Sequence, residues 1–229
     1  VSTGVGIGAL LNYYSSSSMP IRRETKLTAF FTPFSVEKER KVVKMEKNTT
    51  RKLTRGAICI AASIVLSFIV IIKMPTGGSA TLASMVPIIM FSIMYDTKWG
   101  LTASLAYSLI QMLLGFQAPP TDSFISYLIV VLFDYIVAFG VLGLAGPINR
   151  CFKKKNAATI AFSGAVVVVL RFICHFITGM VIWGVYAPEG QPVWLYSLGY
   201  NGGYMGVELV LTVIVLVILG KVFMRPSIQ

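Results

Sequence analysis

From Leu53 onward, long apolar runs alternate with short connections that contain polar residues, proline or glycine. Each run has about the 17–25 residues that an α-helix needs to cross a hydrocarbon core of about 30 Å. The run lengths and the lack of period-two alternation predict helices rather than a β-barrel. The fold class predicted is all-α, an integral membrane bundle of six transmembrane helices. The predicted spans are about 53–72, 79–95, 99–117, 125–146, 157–186 and 195–223.

The first 44 residues do not follow this pattern. They are mixed in character, with four consecutive serines at 15–18 and scattered charges, and no run in them is long enough to span a bilayer. Met45 then opens a basic leader, MEKNTTRKLTR. We therefore expect an N-terminal extension at 1–44, either disordered or an artefact of the assigned gene start, and a six-helix membrane domain at 45–229.

Composition supports the membrane assignment. Of 229 residues, 55% are hydrophobic and 13% are charged, against about 25% charged in soluble proteins, and the mean hydropathy is +0.76. The net charge of +11 does not indicate nucleic-acid binding, because the basic residues lie between apolar runs and not in a patch with interleaved aromatics.

The distribution of lysine and arginine predicts the orientation. Eleven basic residues fall on one side of the predicted membrane and one, Lys73, falls on the other. By the positive-inside rule, both termini are cytoplasmic and the connections 73–78, 118–124 and 187–194 are outside. The eleven are Lys47, Arg51, Lys52, Arg55, Lys98, Arg150, Lys153, Lys154, Lys155, Lys221 and Arg225.

Ionisable residues inside the predicted spans are the strongest functional signal. Asp or Arg at this depth costs about 2.5–3.5 kcal/mol on insertion scales, so each needs a partner or a purpose. The topology puts three of them near mid-depth and His175 in the outer half, together with Trp183, Tyr196 and Asn201. A pocket open to the outside is the simplest interpretation. The four are Asp134, Arg171, His175 and Glu208.

Charge balance suggests what this pocket binds. Two carboxylates against one arginine, with the histidine neutral, leave one negative charge uncompensated. A cationic aromatic ligand would balance it and would stack on the aromatics Tyr135, Trp183 and Tyr196. Alternatively, an arginine–carboxylate pair only links helices, or one carboxyl is protonated. We favour ligand contact for Asp134 and His175, and leave both interpretations open for the other two ionisable groups.

Small residues indicate a second surface. Ala57 and Ala61 lie four residues apart on the first helix, a spacing that allows close helix approach either within the bundle or to a partner membrane protein. No P-loop, HExxH or Gly-x-Ser-x-Gly motif occurs, and one histidine without ligands at suitable spacing is a poor metal site. We therefore expect no catalysis, no cofactor and no metal.

Three blocks of sequence resemble one family, the thiamine-specific substrate-binding components of energy-coupling factor (ECF) transporters, the ThiT family. The resemblance covers about residues 53–223. The blocks are RFICHFITGMVIWGVYAPEGQPVWLYSLGYNGGYM at 171–205, LFDYIVAFGVLGLAG at 132–146 and GGSATLASMVPI at 77–88.

The resemblance implies a non-enzymatic subunit in the plasma membrane of a bacterium. It would capture thiamine from outside and deliver it with a transmembrane coupling protein and two ATPases, with loop 73–79 as a lid. Some family members carry glutamate where this chain has Asp134, so the shorter arm would need a water or a small helix shift. Ala57 and Ala61 match the family's docking face for the coupling protein. The implied ligand-binding residues are Asp134, Tyr135, His175, Trp183, Tyr196 and Asn201.

Three alternatives remain. A stand-alone secondary transporter would use the intramembrane charges as an ion relay, but no inverted repeat is visible. A membrane enzyme using His175 and Glu208 lacks an accompanying nucleophile or metal motif. A substrate-binding component for another vitamin would share the fold and change only the ligand.

Overall fold

The structure is a computed structural model that describes residues 48–75 and 77–223. The predicted extension at 1–44 lies outside these residues. In the described part, six helices follow one another, and a β-hairpin of two strands, β1 (Val70–Lys73) and β2 (Ser79–Thr81), comes between the first two. The helices are α1 at 48–67, α2 at Val86–Met94, α3 at Thr97–Gly115, α4 at Phe124–Arg150, α5 at Ala157–Val181 and α6 at Val193–Phe223.

This is a mostly helical membrane protein. Three described helices, α4, α5 and α6, are long and apolar enough to cross a bilayer. The outward stripe of α6 exposes half or more of Val210, Ile214 and Ile218, as expected of a face in contact with lipid. The count of six spans and the orientation of the termini are not confirmed and stay predictions. At nine residues, or about 14 Å, α2 is too short to span a core of about 30 Å.

The β-hairpin was not predicted. Helix was expected at 53–72 and 79–95, but the chain is extended at Val70–Lys73 and Ser79–Thr81, which pair antiparallel. The run Val-Ile-Ile is β-branched and favours a strand. Gly77 and Gly78 then reverse the chain at φ angles of +105° and +84°, which residues with a Cβ rarely adopt. The strands occupy sequence that hydropathy alone assigned to helix.

Close contacts of small residues pack α2, α3 and α4 together. A Cβ at Gly146 would lie 2.1 Å from the Ser92 carbonyl oxygen, and one at Gly143 would lie 2.7 Å from Ser104 Oγ. The Ser92 hydroxyl donates to the Gly143 carbonyl at 2.6 Å and accepts from the Gly146 amide at 2.9 Å. These hydrogen bonds between helices fix how α4 presents its other face to the interior.

The antiparallel pair α5 and α6 forms the other wall of the bundle. Asn156 caps α5, accepting from the Thr159 amide at 2.9 Å in a reciprocal capping box. Near the far end, Gly179 allows α6 to approach, since a Cβ there would lie 2.2 Å from Ser197 Oγ and 2.6 Å from Asn201 Nδ2. Because of this approach, α6 side chains reach the backbone of α5.

Polar contacts connect the turn between α2 and α3 to helices α1 and α4. Lys52 Nζ pairs with Asp96 Oδ2 at 2.8 Å, and Arg55 donates to the Tyr95 hydroxyl at 2.8 Å. Arg150 donates to the Tyr95 carbonyl at 3.1 Å. The hydrogen bond and charge of Lys52 hold the pKa of the exposed Asp96 carboxyl below its usual value.

Candidate functional site

A cavity of about 440 Å³ lies among the hairpin and helices α3, α4, α5 and α6. That volume is typical of small-molecule sites, which are usually about 300–1,000 Å³. All six residues predicted to bind the ligand line this cavity: Asp134, Tyr135, His175, Trp183, Tyr196 and Asn201. Their convergence is a feature of the structure, whereas their contact with a ligand stays a prediction.

Asp134 is buried and accepts hydrogen bonds on both carboxylate oxygens. Its Oδ1 accepts from His175 Nδ1 at 2.9 Å and from the Thr178 hydroxyl, and its Oδ2 accepts from Trp183 Nε1 at 3.0 Å. Asp134 lies in a π-helical stretch of α4, Val130–Val137, where the wider backbone turn alters which side chains face inward. The carboxylate thus links α4 to α5 and to the short 3₁₀ turn Trp183–Tyr186.

Arg171 connects to Asp134 through the histidine. Its Nε donates to His175 Nε2 at 3.3 Å, so Nε2 is the accepting nitrogen and Nδ1 carries the proton that goes to Asp134. The guanidinium also lies 4.0 Å from the centre of the Phe139 ring and donates to Met85 Sδ at 2.9 Å. Within the described residues, Arg171 has no direct salt bridge to a carboxylate. A neutral imidazole therefore separates the cation from the anion.

Tyr135 presents its ring to the cavity while its hydroxyl is engaged elsewhere. The hydroxyl donates to the Gly115 carbonyl at 2.9 Å and accepts from the Gln117 amide at 2.9 Å. Its ring lies 5.6 Å from that of Phe116. Tyr135 thus anchors the end of α3 to α4, which leaves the aromatic face, rather than the hydroxyl, for a ligand.

Asn201 and the tyrosines of α6 form the opposite wall. Asn201 Nδ2 donates to the His175 carbonyl at 3.1 Å, and its Oδ1 accepts from the Tyr204 hydroxyl at 3.1 Å. The ring centroids of Tyr196 and Tyr200 are 5.6 Å apart, and those of Tyr200 and Tyr204 are 6.5 Å apart with the rings edge to face. Asn201 therefore orders the histidine's backbone as well as lining the cavity.

The hairpin loop lies against the same tyrosines. The Tyr200 hydroxyl donates to the Gly77 carbonyl at 2.8 Å. A Cβ at Gly78 would lie 2.9 Å from the Tyr204 ring, so only glycine fits the approach and the positive φ together. Lys73, Met74 and Pro75 also line the cavity.

Comparison with known proteins identifies the family. A family model described as "Thiamine transporter protein" matches residues 53–227, more than half of the chain. The chain belongs to this thiamine transporter family. The resemblance to ThiT proteins that the sequence predicts is therefore confirmed.

Individual relatives agree with the family assignment. The chain is 35% identical over 178 residues to "Thiamine transporter ThiT" of Bacillus subtilis, which covers 73% of this chain and 89% of the relative. It is 38% identical over 94 residues to the ThiT of Lacticaseibacillus paracasei, covering 38% and 47% of the two chains. A solved structure of ThiT from Listeria monocytogenes has the same fold, with a TM-score of 0.60, 22% identity and coverage of 76% of this chain and 96% of that one.

Several cavity residues of this thiamine transporter are not among the six that the sequence predicted to bind a ligand. Tyr200 and Tyr204 repeat at the helical spacing of four from Tyr196, a signal that could have revealed them. Thr178 lies three residues after His175 on the same face of α5, but its hydroxyl carries no signal in the sequence. Thr81 is on the unpredicted strand β2 and could not have been found.

Proposed function

We propose that this chain is the thiamine-binding membrane subunit of an ECF-type importer in the plasma membrane of a bacterium. It captures thiamine from outside the cell and delivers it with a coupling protein and two ATPases. The observation that carries the proposal is the meeting of Asp134, His175 and Trp183 in one cavity of a chain from the thiamine transporter family.

The cavity has the chemistry that thiamine requires. Thiamine combines an aminopyrimidine with a positively charged thiazolium ring, so it needs flat aromatic partners, hydrogen bonds and negative charge. Trp183 and Tyr196 supply aromatic faces, Tyr135 supplies a third, and Asp134 and His175 supply charge and polar contacts. Asn201 holds the histidine's backbone and borders the ligand.

Entry is from the external side. The positive-inside rule puts the hairpin and the connection between α5 and α6 outside, and both border the cavity through Gly77 and Trp183. The loop at 73–79, of which the structure describes 73–75 and 77–79, acts as the lid. The hydrogen bond from the Tyr200 hydroxyl to the Gly77 carbonyl keeps it closed. Release of thiamine requires this bond to open.

Coupling to ATP hydrolysis occurs through α1. Ala57 and Ala61 are exposed on this helix, whereas Gly56 is buried against the Phe91 ring, so the small-residue face is turned away from the bundle. This exposure favours the docking interpretation over internal packing. Because the chain has no P-loop, the energy comes from partner subunits.

The rival function is a stand-alone secondary transporter. The linked ionisable groups Asp134, His175 and Arg171 would suit an ion relay. In liposomes under an ion gradient, we expect no thiamine uptake by the purified chain alone and uptake once the coupling protein and ATPases are added with ATP. Uptake by the chain alone would establish the rival instead.

Ligand identity is tested by titration. Detergent-purified protein is titrated with thiamine and with riboflavin, following tryptophan fluorescence. We expect saturable quenching by thiamine only, with Trp183→Phe removing most of it and Trp194→Phe, an exposed residue outside the cavity, retaining it. Saturation by riboflavin and not by thiamine would assign the chain to another vitamin.

A further inference from the structure

A second carboxylate lies in the cavity, on the sixth helix. Glu208 is 2% exposed and lines the cavity two turns beyond Asn201. Its Oε1 accepts from the Thr81 amide at 2.8 Å and from the Thr81 hydroxyl at 2.5 Å. Its Oε2 is buried, and no group among the described residues forms a hydrogen bond to it. A buried carboxylate oxygen without a donor is costly, so this atom indicates a partner that the described residues do not provide.

The charges in the cavity also single out Glu208. Asp134 and Arg171 are joined through a neutral imidazole along one hydrogen-bonded chain, so Arg171 offsets part of the charge that Asp134 offers a ligand. Lys73 is exposed on the hairpin, where water screens its charge. The carboxylate of Glu208 is therefore a buried cavity carboxylate that has neither a salt bridge nor a hydrogen-bonded link to a cation among the described residues.

We propose that Glu208, in addition to Asp134, is a residue by which this cavity selects a cationic ligand over a neutral one of the same shape. Its charge balances the positive ring of the ligand, and Oε2 accepts a hydrogen bond from a ligand donor group. The inference rests on the proposed function, since thiamine has a permanently charged ring and both an amino and a hydroxyl donor. The sequence left the role of Glu208 open between ligand contact and a structural role, either as a link between helices or as a protonated group.

The test compares two ligands that differ in charge and not in shape. Thiamine and deazathiamine, in which carbon replaces the quaternary ring nitrogen, are titrated calorimetrically into wild-type protein and into Glu208→Gln. Glutamine keeps an oxygen for the Thr81 donors and lacks the charge. We expect the variant to bind thiamine about ten- to hundredfold more weakly, the range for a hydrogen bond to a charged group. Deazathiamine has the same donor groups and loses only the hydrogen bond to Oε2, so its binding should weaken by less, about two- to tenfold.

A matched control is available on the same helix. Thr212 lies one turn further along α6, is fully buried, has a hydroxyl with no partner among the described residues, and does not line the cavity. Thr212→Val should leave both affinities and their ratio unchanged. Glu208→Met, which removes the polar group, serves as a second variant should the glutamine variant not fold. It should lower the ratio of thiamine affinity to deazathiamine affinity as much as Glu208→Gln does.

Three outcomes would overturn the inference. Equal weakening of both ligands by Glu208→Gln would mean a structural role, and unchanged affinities would mean no contact. A wild-type protein that binds both ligands equally well would show that the cavity does not distinguish a charged ligand from a neutral one. Wild-type protein that binds neither ligand would instead reject the proposed function, which separates the two failures.

Discussion

Asp134→Asn tests the centre of the cavity most directly. The carboxylate accepts from His175, Thr178 and Trp183, whereas an asparagine at this position has one oxygen and turns an amide donor toward one of these donors. The substitution also leaves Arg171 without the anion to which the histidine links it.

The expected loss of affinity follows from the charge. A thiazolium charge placed about 6 Å from the Asp134 carboxylate would interact with it by about 3 kcal/mol at an effective dielectric constant of about 20. In the variant, the groups that donate to Asp134 can reorient and recover part of this interaction energy. We therefore expect thiamine binding to weaken by about 2 kcal/mol, or about thirtyfold in Kd. The unliganded variant should also unfold at a lower temperature, because an unpaired buried donor costs about 1–3 kcal/mol.

Isothermal titration calorimetry is the suitable assay, because Trp183 donates to Asp134 and the substitution changes the surroundings of its indole, which alters the fluorescence itself. Asp122→Asn is the control, since Asp122 is an exposed acid outside the cavity and its loss should leave Kd unchanged. A folded Asp134→Asn protein with a Kd within about threefold of wild type would refute the reasoning.

The other predictions concern docking, the lid and packing. Replacing Ala57 or Ala61 by tryptophan should abolish uptake in cells and leave binding to the purified protein intact; normal uptake would reject the docking face. Tyr200→Phe removes one hydrogen bond to the lid, so stopped-flow thiamine release should quicken by about two- to tenfold; an unaltered rate would mean that this bond does not hold the lid. Gly179→Ala should lower the melting temperature by many degrees, because the added Cβ would collide with α6. Gly199→Ala is the control, since a Cβ there meets nothing within 4 Å and the melting temperature should stay the same. Equal melting temperatures of the two variants would contradict the packing argument.

The local hydrophobic pattern of the sequence was sufficient to predict the helices α3 to α6. Their apolar runs are long and bounded by breakers, and the predicted limits differ from the structure by a few residues: 157–186 was expected where α5 ends at Val181 and a short 3₁₀ turn follows. Arg171 and His175 share a face because helical spacing requires it. Intramembrane polar residues drew attention to the cavity because each is costly in lipid, which is a property of the residue and not of the fold.

Hydropathy could not distinguish strand from helix at 70–81, since a short apolar run suits both, and two glycines and a β-branched run decided it. It also could not say which polar groups meet. Thr178 of α5 reaches Asp134 of α4 because of how these two helices cross. The same packing leaves Arg171 bonded to its helix neighbour His175, with no carboxylate of the described residues in salt-bridge range.

The sequence by itself determined that this chain is a membrane protein with costly polar groups at a few positions, because hydrophobicity and helical periodicity are local. Only the tertiary structure decided that Asp134 is already hydrogen-bonded on both oxygens while one oxygen of Glu208 lacks a partner among the described residues. Such pairings depend on angstrom-scale approach between helices, as at Gly179, and that distance is set by the whole bundle.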